Sequence, residues 1–288
     1  MPNVAILGLG LMGGSLGLAL QRPPRRPGRV IGYARRPAVR AAAQAQGICD
    51  EIANTPPEAV AGADLIVLCA PIRALPELAA ACAPALKPGA IVTDVGSTKA
   101  WLNARLPAAL GRSDVTYLGS HPICGSEQSG IEAARANLYD DAVVVVTPTT
   151  DAPEAVTAAV QALWESAGAR VRVLDAATHD RMLARTSHLP HLAAAALAAT
   201  VGREQPAAVS PWCGTGFWST SRLAEGAPEI WRDILLTNAP AIADELDAFA
   251  EALRAWQTLL RNPAGEALES ALAAARAARR TLAAGGPS

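Results

Sequence analysis

Lysine, aromatic side chains and cysteine are all scarce in this chain, and each shortage excludes a class of protein. Lys87 and Lys99 are its two lysines, so any mechanism that needs a lysine after residue 99 is excluded. The five cysteines are odd in number, scattered and without metal-ligand spacing, which argues against a disulfide framework or a cysteine-bound metal. Only 4% of the residues are aromatic although 51% are hydrophobic, so alanine-rich helices must supply much of the packing.

The chain also lacks a membrane-length apolar run, a leader-like N-terminus and an excess of charge. Charges or prolines interrupt every apolar stretch, and the first residues enter a strand pattern directly. The formal net charge is −1, which does not favour a nucleic-acid or anionic-membrane surface. We therefore expect a cytoplasmic protein with reduced thiols, and neither a nucleic-acid nor a membrane partner.

The order of strand-like and helix-like segments predicts an α/β domain followed by an all-α domain. Short apolar runs alternate with amphipathic or alanine-rich stretches of helix length, which predicts a mainly parallel sheet with helices packed on it. Beyond residue 176 only helical patterns remain, so we predict domains at residues 1–176 and 177–288. The runs interpreted as strands are Val4–Leu7, Val30–Tyr33, Leu65–Cys69, Ile91–Asp94, Thr116–Leu118, Val143–Thr147 and Val171–Leu174.

A glycine-rich loop follows the first predicted strand and opens the first predicted helix. Its spacing, Gly8-x-Gly10-x-x-Gly13, in that context predicts a Rossmann-like dinucleotide-binding domain. Gly8 permits the tight turn, Gly10 admits the pyrophosphate, and Gly13 lets the helix pack on the strand. A glycine-rich turn in an unrelated strand–helix unit is the alternative. The residues that we expect to contact the cofactor here and after the third strand are Gly8, Gly10, Leu11, Met12, Gly13, Ala70 and Pro71.

The end of the second predicted strand favours NADP over NAD, although NAD remains possible. An NAD site usually places a carboxylate there for the ribose 2′-hydroxyl, whereas this chain offers Ala34, Arg35 and Arg36. Two guanidinium groups suit a 2′-phosphate. Alternatively, Arg35 and Arg36 are ordinary solvated side chains before the next helix.

Polar residues follow the fourth and fifth predicted strands, where ligands of open α/β sheets bind. We expect Ser97, Lys99, His121, Ser126 and Glu127 to reach the same crevice as the cofactor. His121 is the residue there that can accept a proton near neutral pH. The alternative is a strand-end histidine with only a structural role.

The helical part contains the other three histidines and two arginines beside tryptophans. His188 and His191 lie three apart, but no carboxylate or cysteine completes a metal set, so we expect no metal. Two roles stay open for these histidines: they contact a substrate, or the backbone at a helix start satisfies their hydrogen bonds. Arg222 and Arg232 lie near Trp218 and Trp231, and either could clamp a carboxylate or be a surface group.

Together these motifs identify a family. The glycine loop, "DVGSTK", "GSHPICGSEQSGIEAA", "NLY", "SHLPH" and "WRDI" occur in order along nearly the whole chain, which resembles the prephenate/arogenate dehydrogenase family of tyrosine biosynthesis. The resemblance implies oxidation of a cyclohexadienol at its ring hydroxyl: hydride leaves ring C4 for the nicotinamide and the ring carboxylate leaves as carbon dioxide. It also implies a homodimer formed through the helical domain.

The resemblance further implies roles for individual residues. His121 would take the proton of the 4-hydroxyl, with Ser97 orienting that hydroxyl or His121. Arg222 would bind a substrate carboxylate, and His191 would contact the substrate from the helical domain. Asp180 would pair with an arginine such as Arg222. The last two expected substrate contacts, at the mouth of the pocket, are Ser126 and Glu127.

Several alternatives stay open at this point. Trp218 stands where a polar or basic residue is expected, so the substrate could be prephenate, with a keto group, or arogenate, with an amino group. A 3-hydroxyacid or 6-phosphogluconate-type dehydrogenase would need a lysine in the helical part, which is absent. A non-catalytic NADP-sensing protein would lack His121, Ser97 or Arg222, and all three are present.

Overall fold

Nine strands form two sheets in the computed structural model, which describes residues 2–23, 26–125 and 128–284. The strands are β1 (Val4–Leu7), β2 (Val30–Tyr33), β3 (Glu51–Ile52), β4 (Leu65–Leu68), β5 (Ile91–Asp94), β6 (Thr116–Tyr117), β7 (Gly119–Ile123), β8 (Val143–Thr147) and β9 (Arg170–Val173).

Helices fill most of the intervals between strands and nearly all of the chain after β9. They are α1 (Leu11–Leu20), α2 (Pro37–Ala45), α3 (Pro56–Val60), α4 (Leu75–Cys82), α5 (Ala100–Leu110), α6 (Glu154–Ser166), α7 (Ala176–Leu183), α8 (Leu189–Val201), α9 (Pro206–Val209), α10 (Thr215–Ser221), α11 (Pro228–Thr237), α12 (Ala239–Arg261) and α13 (Gly265–Ala284). A π-helical turn, Ala184–His188, joins α7 to α8.

The larger sheet has six parallel strands in the order β3-β2-β1-β4-β5-β6, which confirms the predicted Rossmann-like, mainly parallel architecture. The chain leaves β1 for β2 on one side and later returns to β4 on the other, so the topological switch lies between β1 and β4. In register, Leu7 pairs with Tyr33 and with Leu68, and Leu68 pairs with Asp94. The carboxyl ends of four strands therefore meet at one edge, where a ligand is expected.

The hydrophobic core lies on both faces of this sheet. All four residues of β1 and of β4 are buried, as expected for strands covered by helices on both sides. Successive residues of β1 alternate between two core clusters: Val4 and Ile6 belong to one, and Ala5 and Leu7 to the other.

Strand β7 corrects one sequence-based prediction. The segment after Leu118 was expected to be a loop beyond a strand, but Gly119–Ile123 is a strand that pairs antiparallel with β8, and β8 pairs parallel with β9. Pro122 is tolerated because β7 is the edge of this three-stranded sheet. His121 thus lies within a strand, opposite Val145.

The chain divides into two compact units, Met1–Ala241 and Ile242–Ser288. The first contains both sheets and the helices from α1 to α11. The second contains α13 and most of α12, whose leucines Leu246, Leu253 and Leu260 recur at heptad spacing and are exposed. The domain boundary near residue 176 stays a prediction, and it coincides with the end of the strands at Val173. None of the described helices has the length and apolar character that a membrane span requires.

Candidate functional site

A cavity of about 540 Å³ lies at the carboxyl edge of the parallel sheet. It is lined by residues that follow β1, β2 and β4, the three strands around the topological switch. The structure brings together there six of the nine residues expected to bind the cofactor: Gly8, Gly10, Arg35, Arg36, Ala70 and Pro71. The other three, Leu11, Met12 and Gly13, form the first turn of α1.

Each of the three glycines in the loop occupies its position for a different steric reason. Gly8 has φ +113°, and a Cβ there would lie 2.3 Å from the carbonyl oxygen of Cys69. A Cβ on Gly13 would lie 1.9 Å from the carbonyl oxygen of Gly8, so α1 packs directly on the turn. A Cβ on Gly10, by contrast, would meet no protein atom within 4 Å. Gly10 faces open space at the N-terminus of α1, where a pyrophosphate fits and its charge is favoured.

The end of β2 presents arginines to this cavity. Arg35 and Arg36 are exposed and line it, while Arg40 donates to the carbonyl oxygen of Ala34 at 2.9 Å and holds the turn. Among the described lining residues, the single carboxylate belongs to Glu77 of α4 and not to the β2 end. The lining therefore suits a dinucleotide.

A chain of buried hydrogen bonds contains His121. Its Nδ1 lies 2.9 Å from Nε2 of His179, and Nδ1 of His179 lies 2.8 Å from Oδ1 of Asp180. His179 and Asp180 belong to α7, so the contact joins the second sheet to a helix far along the chain. His121 is 8% exposed, His179 fully buried and Asp180 4% exposed.

The partners assign the tautomers of both rings. A carboxylate only accepts, so Nδ1 of His179 carries the proton and its Nε2 accepts. Nδ1 of His121 is then the donor to His179, which leaves Nε2 of neutral His121 as an unprotonated base. The hydrogen-bond chain thus prepares one specific nitrogen of His121 to accept a proton.

Asp180 is held by the N-terminus of α5. Its Oδ1 accepts from the backbone amide of Lys99 at 2.8 Å, and its Oδ2 accepts from that of Ala100 at 2.9 Å. Free amides at a helix start stabilise a carboxylate. The expectation that Asp180 pairs with an arginine such as Arg222 was wrong, because these amides and His179 occupy its oxygens.

Burial holds the pKa of His121 well below the ordinary histidine value, and proximity to the basic side chains of His179, Lys99 and His188 lowers it further. The desolvated ring disfavours the imidazolium form. His121 is accordingly a neutral acceptor at physiological pH.

Lys99 does not reach the crevice, contrary to the sequence-based expectation. Its side chain is fully buried, and Nζ forms an ion pair with Asp94 at the end of β5. Nζ also donates to the carbonyl oxygen of Ser120 at 2.9 Å. The carboxylate of Asp94 further accepts from the hydroxyl of Tyr117 at 2.9 Å and from the amide of Ser120 at 3.2 Å.

The turn that leads from β5 to α5 packs next to the cofactor cavity. A Cβ on Gly96 would lie 2.8 Å from Oδ2 of Asp94 and 3.5 Å from Cδ1 of Ile72, directly after the cavity-lining Pro71. Ser97 lies half-buried in this turn. The buried polar cluster around Asp94 therefore adjoins the wall of the cavity.

The other two histidines differ in their surroundings. His188 is buried, its Nδ1 lies 3.3 Å from Nδ2 of Asn238, and burial lowers its pKa to about 4. The ring of His191 stacks on Trp231 with centroids 3.5 Å apart and planes 10° apart. Within the described part of the chain, the buried Nδ1 of His191 has no hydrogen-bond partner.

The remaining predicted residues are only partly located. Arg222 lies at the C-terminal end of α10 with an exposed side chain. Ser126 and Glu127 lie outside the residues that the structure describes. Across residues 2–23, 26–125 and 128–284, no three His, Cys, Asp or Glu side chains are grouped to hold a metal ion.

Sequence reasoning missed His179 as the partner of His121, and Asp94 as the partner of Lys99. The adjacency of His179 and Asp180 carried a signal, because a histidine beside a carboxylate can be oriented by it. Nothing in the sequence joined that pair to His121, which lies 58 residues earlier.

Two family models match consecutive parts of the chain. The model described as prephenate dehydrogenase, nucleotide-binding domain, matches residues 16–173. The model described as prephenate dehydrogenase, dimerization domain, matches residues 175–274.

Individual relatives extend over nearly the whole chain. A cyclohexadienyl dehydrogenase of Zymomonas mobilis is 35% identical over 270 residues, which covers 92% of this chain and 91% of that protein. The structure of a prephenate dehydrogenase from A. aeolicus, in complex with hydroxyphenyl propionate and NAD+, has a TM-score of 0.90 at 32% identity and 98% coverage of both chains. That of Synechocystis arogenate dehydrogenase has a TM-score of 0.83 at 29% identity, covering 97% of this chain and 99% of that one.

Proposed function

The chain belongs to the prephenate dehydrogenase family, and we propose that it catalyses the NAD(P)-dependent oxidative decarboxylation of prephenate to 4-hydroxyphenylpyruvate in tyrosine biosynthesis. The observation that carries this proposal is the buried chain of His121, His179 and Asp180. It leaves one unprotonated nitrogen on His121. An alcohol that loses hydride needs such a base.

A nicotinamide cofactor, when bound in the 540 Å³ cavity, supplies the hydride acceptor. Gly8, Gly10 and the first turn of α1 would hold its pyrophosphate. Arg35 and Arg36 support NADP as the preferred form, because they offer guanidinium groups where an NAD site has a carboxylate.

His121 takes the proton of the substrate's ring hydroxyl on Nε2. The imidazolium that forms keeps its Nδ1–H bond to His179, and the Asp180 carboxylate stabilises the added charge through His179. The two backbone amides on Asp180 hold this carboxylate in place. As hydride leaves ring C4, the ring carboxylate departs as carbon dioxide, the ring becomes aromatic, and the phenolate oxygen takes the proton back from His121.

Substrate binding is proposed for residues on both sides of His121. Ser97, in the turn after β5, orients the hydroxyl or His121. Arg222 binds a carboxylate of the substrate, which is anionic while the protein has a net charge of only −1. His191 contacts the substrate from the helical part of the chain. Ser126 and Glu127 complete the proposed contacts.

Arogenate is the second candidate substrate. One observation favours it: a structural neighbour is an arogenate dehydrogenase. Trp218, which is 55% exposed on α10, leaves both the keto and the amino substrate open. The two substrates share the ring that reacts, so the same base serves both.

We further propose that the protein is a homodimer. The dimerization-domain model matches residues 175–274, and the exposed leucines of α12 form the kind of apolar stripe that a second copy would cover. Light scattering after size-exclusion chromatography tests this proposal, because it measures the molar mass of the protein in solution.

Four parallel assays test the proposed function. Purified protein is mixed with prephenate or arogenate, each with NAD or NADP, and reduced cofactor is followed by absorbance. We expect turnover with prephenate and NADP. Cofactor binding with no turnover in any of the four assays would contradict the proposal and favour a sensor.

A further inference from the structure

The buried lysine of the site forms part of a closed ring of contacts. Through its side chain, Lys99 donates to the carbonyl oxygen of Ser120, the residue directly before His121. Through its backbone amide, it donates to Oδ1 of Asp180, the carboxylate that orients His179. One residue therefore holds both ends of the hydrogen-bond chain that contains His121.

Lys99 has no access to a ligand. Its side chain is 0% exposed, and its ammonium lies between Asp94 and the carbonyl oxygen of Ser120. A cation that binds substrate would need an open face toward the crevice. The role of Lys99 must therefore be exerted through the residues that it contacts.

Asp94 is saturated by the same network. Its Oδ1 accepts from Tyr117 and from the amide of Ser120, and its Oδ2 accepts from the amide of Gly96 at 2.7 Å and from Lys99. The hydroxyl of Ser120 also donates to the backbone carbonyl of Asp94 at 2.5 Å. The end of β5 and the start of β7 are thus joined by charged and neutral hydrogen bonds around one ammonium.

Such a buried pair is weak evidence for stability, because desolvation opposes the attraction between its charges. The pair of Lys99 and Asp94 is better explained by the local geometry that it fixes. A displacement of the reacting base by about 1 Å can lower a rate by about 100-fold.

We propose that Lys99 is a positioning residue for His121: its ammonium sets the place of His121 in β7 through Ser120. Its backbone amide, which any residue at position 99 would keep, helps to hold Asp180 and through it His179. The proposal rests on the proposed function, in which His121 is the base.

The test compares the only two lysines. Lys99→Met keeps the length of the stem and removes the ammonium. Lys87→Met is the matched control, because Lys87 pairs with Asp64 on the surface, before the opposite end of β5. We expect Lys99→Met to lower kcat by about 100-fold, with KM and cofactor Kd changed by less than about 3-fold, and Lys87→Met to behave as the wild type.

A spectroscopic measurement does not depend on turnover. The protein has four histidines, so heteronuclear NMR can resolve the imidazole N–H of His121 that is hydrogen-bonded to His179. We expect this signal to shift or broaden in Lys99→Met and to persist in Lys87→Met. If the wild type turns over neither substrate, the proposed function fails while this signal still decides whether Lys99 positions His121.

A second variant covers the case in which Lys99→Met leaves Asp94 as an unpaired buried charge and does not fold. Asp94→Asn combined with Lys99→Met removes both charges together. We expect the double variant to fold with bound cofactor, to show the altered His121 signal and to remain about 100-fold slow. A wild-type kcat or an unchanged His121 signal in a folded Lys99 variant would overturn the proposal.

Discussion

Nδ1 of His121 lies 2.9 Å from Nε2 of His179, and the two rings meet edge to face with their planes 74° apart. This contact makes the chemistry of a strand residue depend on a helix residue. Because His179 is bonded to Asp180, a change at Asp180 must reach His121 without touching the substrate.

Asp180→Asn should lower kcat by about 100-fold or more, because an amide cannot both accept from His179 and stabilise the imidazolium charge. Steady-state kinetics at saturating cofactor measures the effect. Asp175→Asn is the matched control, since Asp175 caps the start of the same helix by accepting from the amide of Thr178, and asparagine is an equally good cap. Equal losses in the two variants would contradict the role given to Asp180.

His121→Asn should lose a factor of about 100 to 10,000 in kcat while cofactor Kd changes little, because a general base contributes an effect of that size. Initial rates and a cofactor fluorescence titration separate the two quantities. His188→Asn is a suitable comparison, because His188 is also buried but is hydrogen-bonded to Asn238. Retention of wild-type kcat by His121→Asn would remove His121 from the mechanism.

The pH profile should have its acid limb below the ordinary histidine pKa of about 6.5. Burial and proximity to the basic side chains of His179, Lys99 and His188 lower the pKa of His121, while Asp94 and Asp180 are the nearby carboxylates. The base must be neutral, so activity is lost as the pH falls through this lowered pKa. We expect kcat/KM to be constant from about pH 8 to about pH 6.5. An acid limb within that range would show that another group controls the rate.

Two glycine substitutions should separate cofactor binding from folding. Gly10→Ala places its methyl group in open space in the protein without cofactor, so we expect an unchanged Tm and a cofactor Kd weakened by about 10-fold or more. Gly13→Ala would collide with the carbonyl oxygen of Gly8, so we expect a lower Tm. Thermal melts and cofactor titrations check both. A normal cofactor Kd for Gly10→Ala would contradict the pyrophosphate site.

Arg222→Ala should mainly raise KM, by about 10-fold to 100-fold, because a bidentate carboxylate contact contributes about 1.5 to 3 kcal/mol. Arg222→Lys keeps the charge without the planar fork and should fall between the alanine variant and the wild type. Substrate saturation curves at fixed cofactor test both variants. An unchanged KM for Arg222→Ala would count against the carboxylate clamp.

Much of the first part of the fold could be predicted because its signals are local. The run Val4–Leu7 and the glycines at 8, 10 and 13 lie within ten consecutive residues, and their spacing alone implies a strand, a turn and a helix. Parallel order followed from alternation of strands and helices. Strand β7 could not be predicted this way, because its glycine and proline weaken a strand pattern and its partner β8 begins 20 residues later.

The sequence by itself determined the glycine loop and the arginines after β2, and it predicted His121 as the titratable group of the site. Only the tertiary structure decided that Asp180 serves His179 and not an arginine, that Lys99 is a buried partner of Asp94, and which nitrogen of His121 is the base. The physical reason is the separation along the chain of the residues that interact. Turns and helix starts depend on neighbours in the chain, whereas the proton positions on His121 depend on a carboxylate that packing brings from α7.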